Sequence, residues 1–230
     1  MTQIRFEDIN KEYGAGVKAL TDVNLSVESG EFLFLIGPSG AGKSTLIKML
    51  IKEESPTSGN IYFDNESILD LTHDFLPTLR RRVGVVFQDF KVLPSKTVFE
   101  NVAVALDVVN STDEEINEVV PNVLSLVGLL DKAFRFPGQL SGGELQRLSI
   151  ARAFAHEPDV LIADEPTGMI DPVASQEILE VLNKINTLGT TIIMSTHDRA
   201  IVDSLKKRVV RLERGSIVSD EAGGKYYASK

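Results

Sequence analysis

The chain of 230 residues carries a formal net charge of −9 and no cysteine, with hydrophobic and charged fractions of 43% and 25%. Those fractions are a folded globular protein's and exclude disorder; the missing cysteine excludes a disulfide framework or a thiolate metal centre and fits a reducing cytoplasm. The acidic balance argues against a broad grip on nucleic acid or anionic lipid, so any membrane association is expected to run through a protein.

No apolar run reaches the roughly 18 residues of a spanning helix, and Met1 to Phe6 lacks the layout of a signal peptide. Neither spanning nor export is expected. Ile4 to Ile9 and Val23 to Val27 alternate with turn residues at Gly14, Gly16 and Ser29-Gly30, a pattern of antiparallel sheet. Tyr13 lies in the first turn, where packing in the turn or core is expected, although an aromatic there could also stack on a nucleotide base.

Phe32 to Ile36 is a short apolar run of the buried parallel-strand type, and Gly37-Pro38-Ser39-Gly40-Ala41-Gly42-Lys43-Ser44-Thr45 follows it. Glycines let successive N–H groups turn inward as a nest for an anion at a helix N-terminus, and Lys43 adds a full charge for the outer phosphates of a nucleotide. The Ser44 hydroxyl is a hard oxygen suited to Mg²⁺. The run matches G-x-x-x-x-G-K-[ST] completely, in the strand-loop-helix context the motif needs, and predicts ATP-type phosphate binding.

The helix from Lys43 presents Leu46, Ile47, Leu50 and Ile51 on one face, and Ser55 to Gly59 ends it. A strand is expected over Ile61 to Phe63, then a short helix around Asp74 to Arg81 whose Arg80-Arg81-Arg82 end is solvated. Another buried strand, Val83 to Phe87, closes on Gln88. An amide at that edge of a parallel strand is placed for a ligand, though a surface glutamine would look the same.

From Lys91 to about Glu157 the pattern turns helical, which predicts an inserted helical subdomain over 91–156 with 1–90 and 157–230 as the core and β subdomain. Thr97 to Val109 is one helix; Ser111 to Glu115 caps the next, which runs to Val127 with Gly128 at its end. Pro121 inside that helix predicts a kink or a restart. Leu140-Ser141-Gly142-Gly143-Glu144 opens a third helix, expected to bury Leu145, Leu148, Ala151 and Ala155. Its start is again suited to phosphate, or simply capped.

Val160 to Glu165 is a buried strand ending in two carboxylates that need compensation. Asp164 is placed to support Mg²⁺, and Glu165 to accept a hydrogen bond from an attacking water. Asp171-Pro172 caps a helix with Ile178, Val181, Leu182 and Ile185 on one face and Gly189 beyond its end. Thr190 to Met194 makes a last central strand with His197 beyond it; His73 and His156 read as surface residues. Arg208 to Leu212 and Ser216 to Val218 form a closing hairpin, and the residues after it are expected to fray.

Taken in this order, Tyr13, Gly37 to Thr45, Gln88, Leu140 to Glu144, Val160 to Glu165, Asp171 and His197 make the chain resemble the nucleotide-binding subunit of ATP-binding-cassette (ABC) systems over nearly its whole length. The phrases Phe75 to Arg81, Val83 to Phe90, Thr97 to Ala103, Phe136 to Ser141 and Ala163 to Gly168 resemble most the cell-division ATPases of that family. The last phrase is shared with ATPases of lipoprotein-release and macrolide or peptide exporters. Soluble members working in translation or DNA repair carry two cassettes or a long coiled coil, which this sequence lacks. Departures from the family pattern are Leu145 for glutamine, Met169-Ile170 for asparagine-leucine and Ser195 for alanine.

The resemblance implies an α/β fold: a mostly parallel P-loop sheet with an antiparallel β subdomain and an inserted helical one. It also implies a homodimer in which each ATP lies between the P-loop of one chain and the Ser141-Gly142-Gly143-Glu144 signature of the other, with Tyr13 at the base and Asp171 at the dimer contact. In that arrangement Ser44, Asp164 and Gln88 serve Mg²⁺, Lys43 and His197 contact the γ-phosphate, and Glu165 activates water. Gln88 reports metal occupancy to the helical part. An integral membrane subunit is expected to dock at Phe90, Val92, Leu93 and the helix from Thr97.

Overall fold

The computed structural model describes residues 2–226 and divides into two compact units, Met1–Arg80 with Thr191–Lys230, and Arg81–Thr190. In the first unit, strands β1 (Thr2–Tyr13) and β2 (Val17–Glu28) pair antiparallel because every second residue of β2 from Val23 to Val27 is buried while its neighbours face water. Asp8 and Asp22, at φ 50° and 49°, sit where irregularities interrupt the register. Strand β4 (Ser58–Phe63) pairs with β1, and β5 (Glu66–Ser67) with β4, through a turn in which Asp64 and Asn65 both have positive φ.

The second sheet of this unit is built on β3 (Phe32–Ile36), whose five residues are all buried. It pairs in parallel with β8 (Thr191–Thr196) on one side and β9 (Arg208–Glu213) on the other. A strand apolar on both faces is what a parallel core strand requires. Strand β10 (Ser216–Glu221) folds back on β9 through Arg214-Gly215. Helix α1 (Lys43–Leu50) buries Leu46, Ile47 and Leu50 as its periodicity predicts. Helix α2 (Leu76–Arg82) ends in the arginine cluster, where Arg80 and Arg81 are exposed and Arg82 pairs with Asp159 at 2.5 Å.

The second unit holds the parallel pair β6 (Val83–Val86) and β7 (Val160–Asp164), and the helices α3 (Val98–Asp107), α4 (Asp113–Leu126), α5 (Gly142–Phe154) and α6 (Pro172–Thr187). Thr97, Thr112 and Ser141 each close a capping box with the glutamate three residues on, which fixes where α3, α4 and α5 begin. Strand β6 lies hard against α5: a Cβ on Gly84 would stand 2.4 Å from the carbonyl oxygen of Ala153.

Several expectations need correction. Helix α4 does not restart at Pro121; it runs unbroken from its cap to Leu126. The capping box and buried Ile116, Val120, Val123 and Leu124 offset the one hydrogen bond the proline removes. On α5 Leu145 is only half-buried, and the fully buried neighbour is Gln146. His156 is not a surface residue: both ring nitrogens are buried, and burial pushes its pKa down. The closing hairpin is longer than expected, and up to Tyr226, whose N–H donates to Asp203 Oδ1 at 2.9 Å, the tail is tied down. Residues 227–230, where fraying is expected, lie outside the described residues. Among the described residues no helix is long and apolar enough to cross a membrane.

Candidate nucleotide-binding and hydrolysis site

In the first unit the site starts where β3 ends. Gly37 follows Ile36 at φ 147°, and a Cβ there would stand 2.1 Å from the carbonyl oxygen of Leu212 on β9, so no side chain fits between the P-loop and the sheet. Gly42 is the N-cap of α1 at φ 106°, with Ala19 O 2.8 Å from where its Cβ would be. No side chain caps this helix. Pro38, Ser39, Gly40 and Ser44 are exposed, Thr45 is half-exposed, and Ala41 is held under the loop by its N–H to Pro38 O at 3.1 Å.

Lys43 is only 6% exposed, and its Nζ donates to Gly37 O at 2.7 Å and Pro38 O at 3.2 Å. The ammonium is thus seated on the carbonyls of its own loop. His197 is exposed just past the end of β8, and the register Ile36↔Thr196 sets it alongside Gly37. Tyr13 ends β1 with its side chain 37% exposed rather than in a core, its ring 4.8 Å from Lys11 Nζ. Lys11 also pairs with Glu54 at 2.8 Å. The aromatic face is therefore steadied at the surface.

In the second unit the register Val86↔Ala163 carries forward to bring Gln88 level with Glu165. Gln88 indeed lies over the turn that follows: its Nε2 is 3.1 Å from where a Cβ of Gly168 would be, and Gly168 N–H donates to Glu165 O at 3.1 Å. Asp164 ends β7 half-buried. Glu165, also half-buried, has φ 47°, a left-handed conformation that costs a non-glycine residue about 1–2 kcal/mol. Strain of that kind is kept where the side chain's direction matters.

The starts of α5 and α6 meet in the same unit. A Cβ on Gly143 would lie 2.5 Å from the Cβ of Ala174, so glycine is needed for this contact, and Asp171 caps α6 by accepting from Val173 and Ala174 N–H at 3.0 Å each. Ser141 and Gly142 are exposed at the start of α5. Glu144 is ion-paired with Lys132, whose ammonium holds the carboxyl below the usual carboxylate range, helped by the Ser141 N–H at 2.8 Å. Lys132 and Gln146 are not legible in the sequence, since a buried amide one turn into a helix gives no signal in periodicity.

A P-loop with a buried lysine, a strand ending in two carboxylates and a glycine-started helix are the parts of a phosphate-handling machine, and comparison with known proteins is decisive here. Residues 20–168 match the family model of the ABC transporter. The chain belongs to the ABC transporter ATPase family. Among relatives, the cell division ATP-binding protein FtsE of Bacillus subtilis is 50% identical over 97% of this chain and 98% of its own length. The FtsE proteins of Mycobacterium tuberculosis (49%, covering 97% of each chain) and Escherichia coli K12 (44%, covering 93% and 96%) align comparably. A dimeric post-hydrolysis ATP-binding cassette bound to ADP and phosphate, MJ0796, superposes with a TM-score of 0.86 at 34% identity, covering 97% of this chain and all of that one. The cassette cbiO1 of Clostridium perfringens, part of an ABC transporter complex, superposes with 0.90 at 32% identity over 96% and 89%. This ABC ATPase therefore has the cassette fold and hydrolyses ATP.

Proposed function

We propose that this ABC ATPase is the ATP-hydrolysing subunit of an FtsE/FtsX-like complex in bacterial cell division, bound at the cytoplasmic face of the membrane through an integral subunit resembling FtsX. The observation that carries this reading is 44–50% identity to FtsE proteins over 93–97% of the chain. The chain works as a homodimer: the exposed Ser141-Gly142 start of α5 is an anion-favouring helix end that can meet a nucleotide held by a second copy. The helical segment 91–156 acts as the signature subdomain that carries it.

In the proposed site, Tyr13 stacks on the base and the nest from Gly37 to Thr45 cradles the phosphates. Lys43 moves from Gly37 O and Pro38 O to the β- and γ-phosphates, exchanging two carbonyls for full negative charge. Ser44, Asp164 and Gln88 offer hard oxygens and would hold Mg²⁺, which when bound neutralises phosphate charge. Glu165 takes the proton of the attacking water as its oxygen bonds to the γ-phosphorus and the bond to the β–γ bridging oxygen breaks, releasing ADP and phosphate. His197 donates to the γ-phosphate, the partner's signature contacts its far side, and Asp171 lies at the contact between copies.

The membrane subunit docks on the half-exposed Phe90, Val92 and Leu93 beside α3. Co-purification with an FtsX-like membrane subunit is the test. Recovery of a complex supports the reading, and an ATPase that binds only a substrate-specific permease would replace it with an exporter role.

A further inference from the structure

Two buried amides bracket the segment that carries Gln88. Downstream, Asn101 of α3 is fully buried and fully used: its Oδ1 accepts from Leu93 N–H at 2.8 Å, and its Nδ2 donates to the carbonyls of Leu93, Lys96 and Thr97 at 2.9–3.0 Å. On the other side, at Phe87, the anchor is Gln146 of α5, which is also fully buried but only half used. Its Nε2 donates to Phe87 O at 3.2 Å, while Oε1 is buried and has no donor among the described residues. A buried acceptor without a partner is costly, and turning the amide over would set oxygen against oxygen at Phe87.

Between these anchors the backbone is strained. Phe90 and Lys91 are consecutive non-glycine residues at φ 60° and 51°, and Lys91 N–H closes a tight turn on Asp89 O at 2.6 Å. Asn101 holds residues 93–97 and β6 is packed against α5, which leaves Gln88 to Val92 as the stretch between the two anchors. The spare acceptor lies at one end of that stretch.

We propose that Gln146 is a positioning residue for Gln88: its amide ties the strand end at Phe87 to the signature helix and holds a free acceptor for a backbone N–H of residues 88–91. When nucleotide engages Gln88, the left-handed turn relaxes, that N–H reaches Oε1, and the strain and the orphaned acceptor are relieved together. The signature helix and Gln88 then move as one. This inference rests on the reading of Gln88 as a residue of the nucleotide site.

The test uses the full chain. Gln146→Met keeps length and volume but has no amide, and is compared with wild type for thermal midpoint, ATP affinity, kcat, KM for Mg-ATP and hydrogen exchange of residues 88–91 with and without Mg-ATP. The expected result is a midpoint and ATP affinity close to wild type, a kcat at least about tenfold lower, and loss of the nucleotide-dependent change in exchange. Lys91→Gly, which removes strain from the nucleotide-free arrangement, should raise the midpoint and lower kcat severalfold. A folded Gln146→Met with wild-type kcat and exchange response overturns the proposal, as does, if that variant does not fold, Lys91→Gly with wild-type values. Gln88→Ala run alongside separates the two levels. If it is impaired while Gln146→Met is not, this inference alone fails; if it keeps full kcat, the role of Gln88 fails and the inference with it.

Discussion

The Nζ of Lys43 donates to the carbonyl oxygen of Gly37 at 2.7 Å, so the cation proposed to bind phosphate is seated on its own loop. Binding then replaces neutral acceptors with charged ones at little reorganisation. Lys43→Ala should weaken ATP binding by roughly 10- to 150-fold, the worth of a charge-assisted hydrogen bond of about 1.5–3 kcal/mol, without unfolding the protein. Nucleotide titration of the folded variant checks this, and unchanged affinity would remove Lys43 from the site.

Gly37 should tolerate nothing larger. A methyl group would be driven to 2.1 Å from Leu212 O at a φ of 147°, and Gly37→Ala is expected to cost more than about 3 kcal/mol by denaturant unfolding. Gly138→Ala is the control, since among the described residues nothing lies within 4 Å of the added atom; its change should stay within about 0.5 kcal/mol.

His156 sets an acid limit on stability. Burial lowers its pKa below the ordinary histidine value of about 6.5, so the unfolded chain binds its proton first. The protein should therefore lose stability as pH falls below about 6.5, with no contribution from this group above it. His156→Gln should flatten the change in thermal midpoint between pH 7.5 and 5.5. An identical slope in wild type and variant would show that the ring does not titrate in this way.

Much of this was legible in the residues. The run Phe32 to Ile36 and the helix from Lys43 stand where periodicity and glycine pattern put them, because a parallel strand buried on both faces has few alternatives. Strands β1 and β2 extend well beyond their apolar cores, to Tyr13 and from Val17, since pairing rather than burial holds their outer ends. Gln146 and Leu145 exchange the burial expected of them, because the space beside Phe87 O needs a donor, which hydrophobic periodicity cannot express. His156 reads as surface in the sequence because a polar residue after a helix carries no sign of the burial its ring nitrogens acquire in the fold.

Docking of the membrane subunit is open to a single charge. Phe90→Asp should cost the complex on the order of 3 kcal/mol, about a hundredfold, because the carboxylate would be desolvated against the docked segment. Nucleotide binding to the isolated subunit should be unaffected. Full recovery of the membrane subunit by Phe90→Asp, by Leu93→Asp and by the double variant would move the docking site elsewhere.

Two copies of this chain should close on ATP, and Glu165 should then drive hydrolysis. Glu165→Gln fills the same space but cannot take a proton, so kcat should fall by about a hundredfold or more while ATP still binds. Closed dimers should accumulate. Light scattering of Glu165→Gln with Mg-ATP is the direct measurement: the account predicts twice the 25.2 kDa of one chain, and a 25.2 kDa species with ATP bound would contradict it.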